Sequence, residues 1–337
     1  MNLQNKNILI TGGAGFIGST IVRKLLEEKG NVFVYDNFLT GDATNLKEVK
    51  DSIKIIKGDV CDKNFKDTLL ENNIQYVFHL AAEPYIPECY DRPRRFFEIN
   101  ANGTMNVLLA CKEAGVKRIL HYSSSEVYGT AQYTPMDEKH PTLPLSTYAV
   151  SKLAADRICF TLSHEQKIPV IILRQFNCYG PRETHPYIIP ELITQLNSTN
   201  NLKLGNKKSR RDFTWVWDAA EAAVKLIKCS KAIGEVVNSG YGKSWSVEEL
   251  AHITAELLGH NSIKIIVEKE RLRPLDVQNL HCDYSKLHRL TGWKPKVKME
   301  EGLKKTIEWF NENQQRWLWE YKIAPENFIW KPKNLKR

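Results

Sequence analysis

The first apolar run, Ile8-Leu-Ile10, is short and unbroken and passes directly into Gly12-Gly-Ala-Gly15-Phe-Ile-Gly18. Such a run with glycines behind it predicts a buried strand over 6–11, and the spaced apolar positions that follow predict an amphipathic helix to about Lys29. The pattern recurs. Further strand-like runs lie at Val32–Tyr35, Ile53–Ile56, Tyr76–Leu80, Ile119–Tyr122 and Val170–Leu173, most of them separated by helical patterns. Apolar strands alternating with helices predict a parallel sheet covered on both faces, a doubly wound α/β fold. Ligands of such sheets bind beyond the carboxyl ends of the strands. Gly58-Asp59-Val60, Leu80-Ala81-Ala82 and Ser123–Glu126 each follow a predicted strand, so their loops converge on one crevice.

The glycine run adds chemistry to that crevice. Glycines allow a tight turn and a close backbone approach, which leaves the unpaired amides of the next helix free for a pyrophosphate. Asp36 ends the second strand, eighteen residues beyond Gly18, where a carboxylate accepts hydrogen bonds from an adenosine ribose. It would repel a 2′-phosphate, so NAD is expected rather than NADP. The alternative is a tight turn beside an exposed aspartate.

Tyr148 and Lys152 stand four residues apart in Ser-Thr-Tyr-Ala-Val-Ser-Lys, on one face if the segment is helical. A neighbouring ammonium favours phenolate over phenol, which makes a tyrosine a usable proton acceptor. Alone the pair is a weak signal, because a half-buried aromatic beside a solvated lysine is common. Ser246-Val-Glu-Glu249 is a capping box and is read as structure. Gly292-Trp293 and Trp309 are expected to pack the smaller lobe.

Composition narrows the remaining possibilities. A chain of 337 residues with 42% apolar content can bury a large core and suits one large domain plus a smaller lobe. Seven scattered cysteines without a Cys-x-x-Cys favour a reducing cytoplasm over a disulfide framework or a zinc site. No stretch approaches the ~20 apolar residues of a membrane span, and no charged-then-apolar leader precedes Ile8, so no membrane partner is expected. The formal charge of +9 raises a nucleic-acid reading, but the basic residues are spread out, with the densest cluster at 207–211, and no nucleic-acid partner is expected. None of the nine histidines has metal-ligand spacing; His79 and His121 are read as strand-end residues and no metal is expected.

Taken together, Thr-Gly-Gly-Ala-Gly-Phe-Ile-Gly, Tyr-Asp-Asn, Gly-Asp-Val, His-Leu-Ala-Ala, Asn100-x-x-Gly-Thr, Tyr-x-x-x-Lys, Arg211-Asp-Phe-Thr-Trp-Val and Thr291-Gly-Trp-Lys-Pro resemble the extended short-chain dehydrogenase/reductase family. The closest resemblance is to its branch of nucleotide-sugar epimerases, dehydratases and decarboxylases, from about 6 to 310. It implies a Rossmann domain over 1–176 with contributions from about 210–240, and an interleaved, smaller α/β substrate lobe over 177–315. The aromatic and basic stretch 316–337 lies beyond it and is expected to pack on its own domain. The resemblance implies NAD held by Gly12, Gly15, Phe16, Ile17, Gly18, Asp36, Asn37, Asp59, Val60, Leu80, Ala81, Ala82, Asn100, Ser123, Tyr148 and Lys152. A nucleotide-diphosphate sugar would be held by Glu83, Ser124, Glu126, Asn177, Arg182, Ile189, Pro190, Arg211, Arg273 and Asp276. Arg273-Pro-Leu275-Asp departs from the family's Arg-Pro-Gly-Asp, which puts that loop's geometry in question. A homodimer through helices near 94–114 and 148–162 is also implied.

Within this branch the reaction turns on Ser124, Ser125 and Glu126. Tyr148 would take the proton from the sugar 4-hydroxyl, with Ser124 on the same oxygen. Dehydratases carry Thr-Asp-Glu at the three positions, and their glutamate removes the C5 proton while the aspartate protonates the departing C6 hydroxyl. Ser125 is no acid and could only orient a water or relay a proton. A 4,6-dehydratase in which Glu126 serves both steps is the expected function, with features of those acting on N-acetylhexosamine nucleotides. A 4-epimerase, a UDP-glucuronate-type decarboxylase, a 5,6-dehydratase and a non-catalytic NAD-sensing protein are the alternatives.

Overall fold

The computed structural model describes residues 1–313, in which twelve strands are laid down. They are β1 (Asn7–Thr11), β2 (Asn31–Asp36), β3 (Ile53–Lys57), β4 (Tyr76–His79), β5 (Arg118–Ser124), β6 (Val170–Gln175), β7 (Asn177–Tyr179), β8 (Asn201–Leu204), β9 (Arg210–Trp215), β10 (Val236–Ser239), β11 (Ser244–Ser246) and β12 (Lys264–Val267). Seven form one sheet in the order β10-β6-β5-β4-β1-β2-β3, with every neighbour parallel. The doubly wound sheet expected from the apolar runs is therefore present, extended by one strand, β10, that no expected run covered. The strand order reverses between β1 and β4, and the crevice opens at that switch point.

Alternating side chains of the central strands feed two cores. Ile8, Ile10, Val34, Phe78, Leu120 and Leu173 face the helices Phe16–Glu27 and Val216–Lys228. Leu9, Val77, Ile119 and Ile172 face those at Phe65–Glu71, Thr104–Glu113 and Thr147–Glu165. Burial on both faces explains why these strands read as unbroken apolar runs. Trp293 is fully buried in the first of these cores and donates from its indole nitrogen to the Asp218 carbonyl at 3.0 Å. It therefore packs the large domain and not the smaller lobe, while Trp309 does lie against the lobe core.

After β6 the chain alternates between layers. β7, β9 and β11 make a three-stranded sheet and β8 with β12 a parallel pair, whereas β10 returns to the main sheet. The lobe helix Val247–Leu257 starts on the expected capping box: Ser246 Oγ accepts from the Glu249 amide at 3.0 Å, and Glu249 Oε2 accepts from the Ser246 amide at 2.6 Å. The stretch 316–337 lies outside the described residues.

Candidate active site

A cleft runs along the carboxyl edge of the main sheet from the Gly12–Gly18 turn to Arg211, Arg273 and Asp276 of the lobe. At one end the glycine turn is tightly closed. Gly12 has φ +71°, and a Cβ there would stand 2.8 Å from the Ala81 amide nitrogen; a Cβ on Gly18 would stand 2.2 Å from the Gly12 carbonyl oxygen. No side chain fits, so the backbone of the turn is bare toward the cleft. Asp36 is clamped at the end of β2, accepting from the amides of Ala14 at 2.9 Å and Phe38 at 2.8 Å. Burial raises its carboxyl pKa while these two bonds oppose the rise. Asn37 donates to Asp59 Oδ2 at 2.8 Å, which joins the loops after β2 and β3. Bare glycine backbone on one side and an acceptor carboxyl on the other fit the pyrophosphate and adenosine ribose of a dinucleotide.

At the other end stand Ser124, Ser125, Glu126, Tyr148 and Lys152, all lining the cleft. Ser124 is still extended, and its Oγ accepts from the Glu126 amide at 3.2 Å, opening the short 3-10 turn Ser125–Tyr128. Ser146 caps the helix Thr147–Glu165 by accepting from the Ala149 amide at 3.1 Å, so Tyr148 occupies the first turn and Lys152 the next. β5 is pinned to this helix from below. Asp156 accepts from Ser123 Oγ at 2.9 Å and from Arg174 Nε and Nη2 at 2.8 and 3.0 Å, all out of solvent.

The electrostatics differ from the expectation of an acidified phenol. Burial raises Tyr148 to about 12, with the hydrogen bond from Ser124 opposing the rise and the charge of Glu126 adding to it. Lys152 points its ammonium at the Tyr122 carbonyl, 2.5 Å away, and burial lowers it to about 8 against the pull of Cys159 and Asp156. Here desolvation outweighs the helix spacing.

Glu126 is paired across the cleft with Arg211, Oε1 to Nε 3.9 Å, and Arg211 also reaches Asp276 Oδ1 at 3.5 Å. Asp276 is held in turn by Asn206 at 2.9 Å. Leu275, the departure from glycine, is 61% exposed and does not need the left-handed backbone region, so this loop accommodates it without strain. Glu83, Asn177, Ile189 and Arg273 also line the cleft, with Glu83 bound to Arg95 Nε at 2.7 Å.

Three expected contact residues do not line it. Asn100 is a latch inside the π-helical stretch 98–103: its Oδ1 accepts from the Glu83 amide at 2.8 Å, and its Nδ2 donates to the Glu83 carbonyl and to Ser151 Oγ. It shapes the loop that faces the cleft. Arg182 is buried, with Nη2 3.4 Å from Thr20 Oγ1 and its guanidinium over the Trp217 ring. Pro190 is buried on the inner side of the helix Ile188–Leu196.

Other lining residues were missed. Gln175 ends β6 and Phe176 follows it, at the carboxyl end where the other loops also leave their strands, so that positional signal could have found them. Tyr85, His185 and Tyr187, whose rings meet at centroid distances of 5.5 to 5.7 Å, sit in irregular loops with no sequence period to mark them. His79 is a buried strut between Thr11 and Thr104, not a ligand, and burial lowers its pKa to about 3.

A switch-point cleft with a glycine-closed turn, a clamped strand-end aspartate and a Tyr-x-x-x-Lys helix defines a dinucleotide-dependent enzyme class. Comparison with known proteins narrows it. The family model described as GDP-mannose 4,6 dehydratase matches residues 9–306. The dTDP-D-glucose 4,6-dehydratase of Homo sapiens is 34% identical over 325 residues, covering 93% of this chain and 92% of that protein. A UDP-N-acetyl-alpha-D-glucosaminuronate decarboxylase of Bacillus cytotoxicus is 36% identical over 323 residues, covering 92% and 99%. Among solved structures, DesIV, a dTDP-glucose 4,6-dehydratase from Streptomyces venezuelae with NAD bound, superimposes with a TM-score of 0.85 at 29% identity, covering 93% of this chain and 99% of that one. The chain belongs to the NAD-dependent nucleotide-sugar epimerase/dehydratase branch of the extended short-chain dehydrogenase/reductases. No helix among the described residues is long and apolar enough to cross a membrane.

Proposed function

We propose that this enzyme is a nucleotide-sugar 4,6-dehydratase that converts a nucleotide-diphosphate hexose to its 4-keto-6-deoxy form. The observation that carries the reading is Glu126, a carboxylate buried in the cleft beside Ser124 and Tyr148 and held toward the lobe by Arg211. An epimerase, which only withdraws and returns a hydride at C4, needs no carboxylate there.

NAD would lie with its pyrophosphate on the Gly12–Gly18 turn and its adenosine ribose at Asp36, and when bound it accepts a hydride from the sugar and later returns it. Ser124 and Tyr148 then orient the sugar 4-hydroxyl, and Tyr148 takes its proton. Lys152 supplies the positive charge that favours this transfer. With the 4-position oxidised, the C5 proton becomes acidic. Glu126 removes it and, now protonated, gives it to the departing C6 hydroxyl, which leaves as water. The hydride taken from C4 would then return at C6, and a solvent proton passed through Glu126 would complete C5. Tyr148 would release the 4-hydroxyl proton to solvent, so that the sum is the loss of one water. Ser125 orients without donating an acid proton. Arg211 and Arg273 suit the diphosphate, since a planar guanidinium offers paired donors.

The test is incubation of purified protein with UDP-, dTDP-, GDP- and CDP-sugars in ordinary and heavy water, read by mass spectrometry. Loss of one water with a solvent deuterium kept at C5 is expected, together with abolition of product in Glu126→Gln. An unchanged mass with a new stereoisomer would mean an epimerase, and loss of carbon dioxide from a uronate would mean a decarboxylase. The second of these has support of its own in the Bacillus relative and in Ser125, since decarboxylation needs no acid for a leaving hydroxyl.

The working form is inferred to be a homodimer in a reducing cytoplasm. Phe97, Met105, Leu109 and Val150, each more than a third exposed, put apolar surface on the helices expected to pair. All seven cysteines are free thiols, which suits that compartment.

A further inference from the structure

We propose that Glu183 contacts the sugar of the bound nucleotide sugar, donating a hydrogen bond through one carboxyl oxygen and accepting one through the other. This rests on the nucleotide-sugar reading above and names a group that neither the family motifs nor the resemblance singled out.

Glu183 lines the cleft yet is only 5% exposed, and its Oε2 is buried with no hydrogen-bond partner among the described residues. No lysine, arginine or histidine forms an ion pair with it there; its neighbour in sequence, Arg182, is directed toward Thr20 instead. The titratable groups that feel its charge are Cys178 and Tyr187, and burial holds both in their neutral forms. His185, two residues on, is likewise kept neutral by burial. With burial as the sole influence, the Glu183 carboxyl titrates well above the ordinary range. A neutral carboxyl is both donor and acceptor, and leaving it unmatched in a buried site is unfavourable, so its partner is expected to arrive with the ligand.

Tyr187 places that partner. It lines the cleft four residues beyond Glu183, with Thr184, His185 and Pro186 between them lining it too, so Glu183 and Tyr187 belong to one stretch of the wall. The rings of Tyr85, His185 and Tyr187 make that stretch largely apolar. An aromatic wall beside a donor–acceptor carboxyl suits a neutral sugar substituent that can both accept and donate, an acetamido or a hydroxyl group.

The test uses the full chain with NAD and measures KM for UDP-N-acetylglucosamine, UDP-glucose, dTDP-glucose and GDP-mannose, alongside the Kd of the matching nucleoside diphosphates by calorimetry. Glu183→Leu is expected to raise KM for the preferred sugar nucleotide about tenfold, with the Kd of the sugar-free diphosphate unchanged. Glu183→Gln, neutral and still donor and acceptor, is expected to restore KM to within about threefold. NAD content and thermal midpoint report whether each variant is folded. A leucine variant with unchanged KM overturns the proposal, and so does a glutamine variant as weak as leucine, because that outcome requires the ionised carboxylate. If the unsubstituted enzyme neither binds nor converts any of the four sugars, the nucleotide-sugar reading itself fails and takes this proposal with it, a result visible before any variant is made.

Discussion

At Tyr148 and Lys152 two effects oppose each other: helix spacing brings a cation near a phenol, while burial disfavours the charged form of both. The balance makes a prediction about pH. Lys152, lowered to about 8, is protonated below that value, whereas Tyr148 stays neutral until about 12. If the Lys152 charge assists proton removal, kcat/KM falls as pH rises through 8. A profile that climbs from 8 toward 10 would instead make phenolate formation limiting. Unfolding through this group cannot mimic the fall. Its folded pKa lies below the unfolded value, so between about 8 and ~10.4 the unfolded chain binds more protons and stability rises with pH. Of the residues lining the cleft, Tyr148, Lys152, Ser124 and Glu126 were legible because spacing and resemblance agreed on them. Glu183 was not, since only folding removes its solvent and its counter-ions.

Elements carry these residues through a few buried polar joints. Asp156 ties Ser123 on β5, Arg174 on β6 and the helix bearing Tyr148 into one unit. Asp156→Ala leaves the guanidinium buried without its partner and is expected to cost about 3–5 kcal/mol, read as a lower urea midpoint with unchanged m-value. A loss under ~1 kcal/mol would mean that water replaces the carboxylate. The capping box at Ser246 was readable because it is local, four residues in one turn. The Asn100 latch was not legible for the opposite reason: its partners, Glu83 and Ser151, are distant in sequence. Trp293 went to the large domain because the strand-and-helix layer containing Asp218 offers its indole nitrogen an acceptor.

For the molecule as a whole, the apolar surface of Phe97, Met105, Leu109 and Val150 predicts association. Met105→Glu with Leu109→Glu is expected to convert a dimer to a monomer in light scattering while leaving NAD bound; a wild-type monomer at working concentration would remove the idea. At this scale the sequence and the structure divide the work. Six of the seven strands of the main sheet, its parallel sense, the glycine turn, the strand-end aspartate and the Tyr-x-x-x-Lys helix are local or periodic patterns, so the chain alone determined them. The pairing of Arg211 with Glu126 and Asp276, the seventh strand, the contacts of Arg182 with Thr20 and Trp217 and the isolation of Glu183 were decided by the tertiary structure. Each depends on which distant segments meet and on how much water the meeting excludes, and neither quantity is written in a short stretch of sequence.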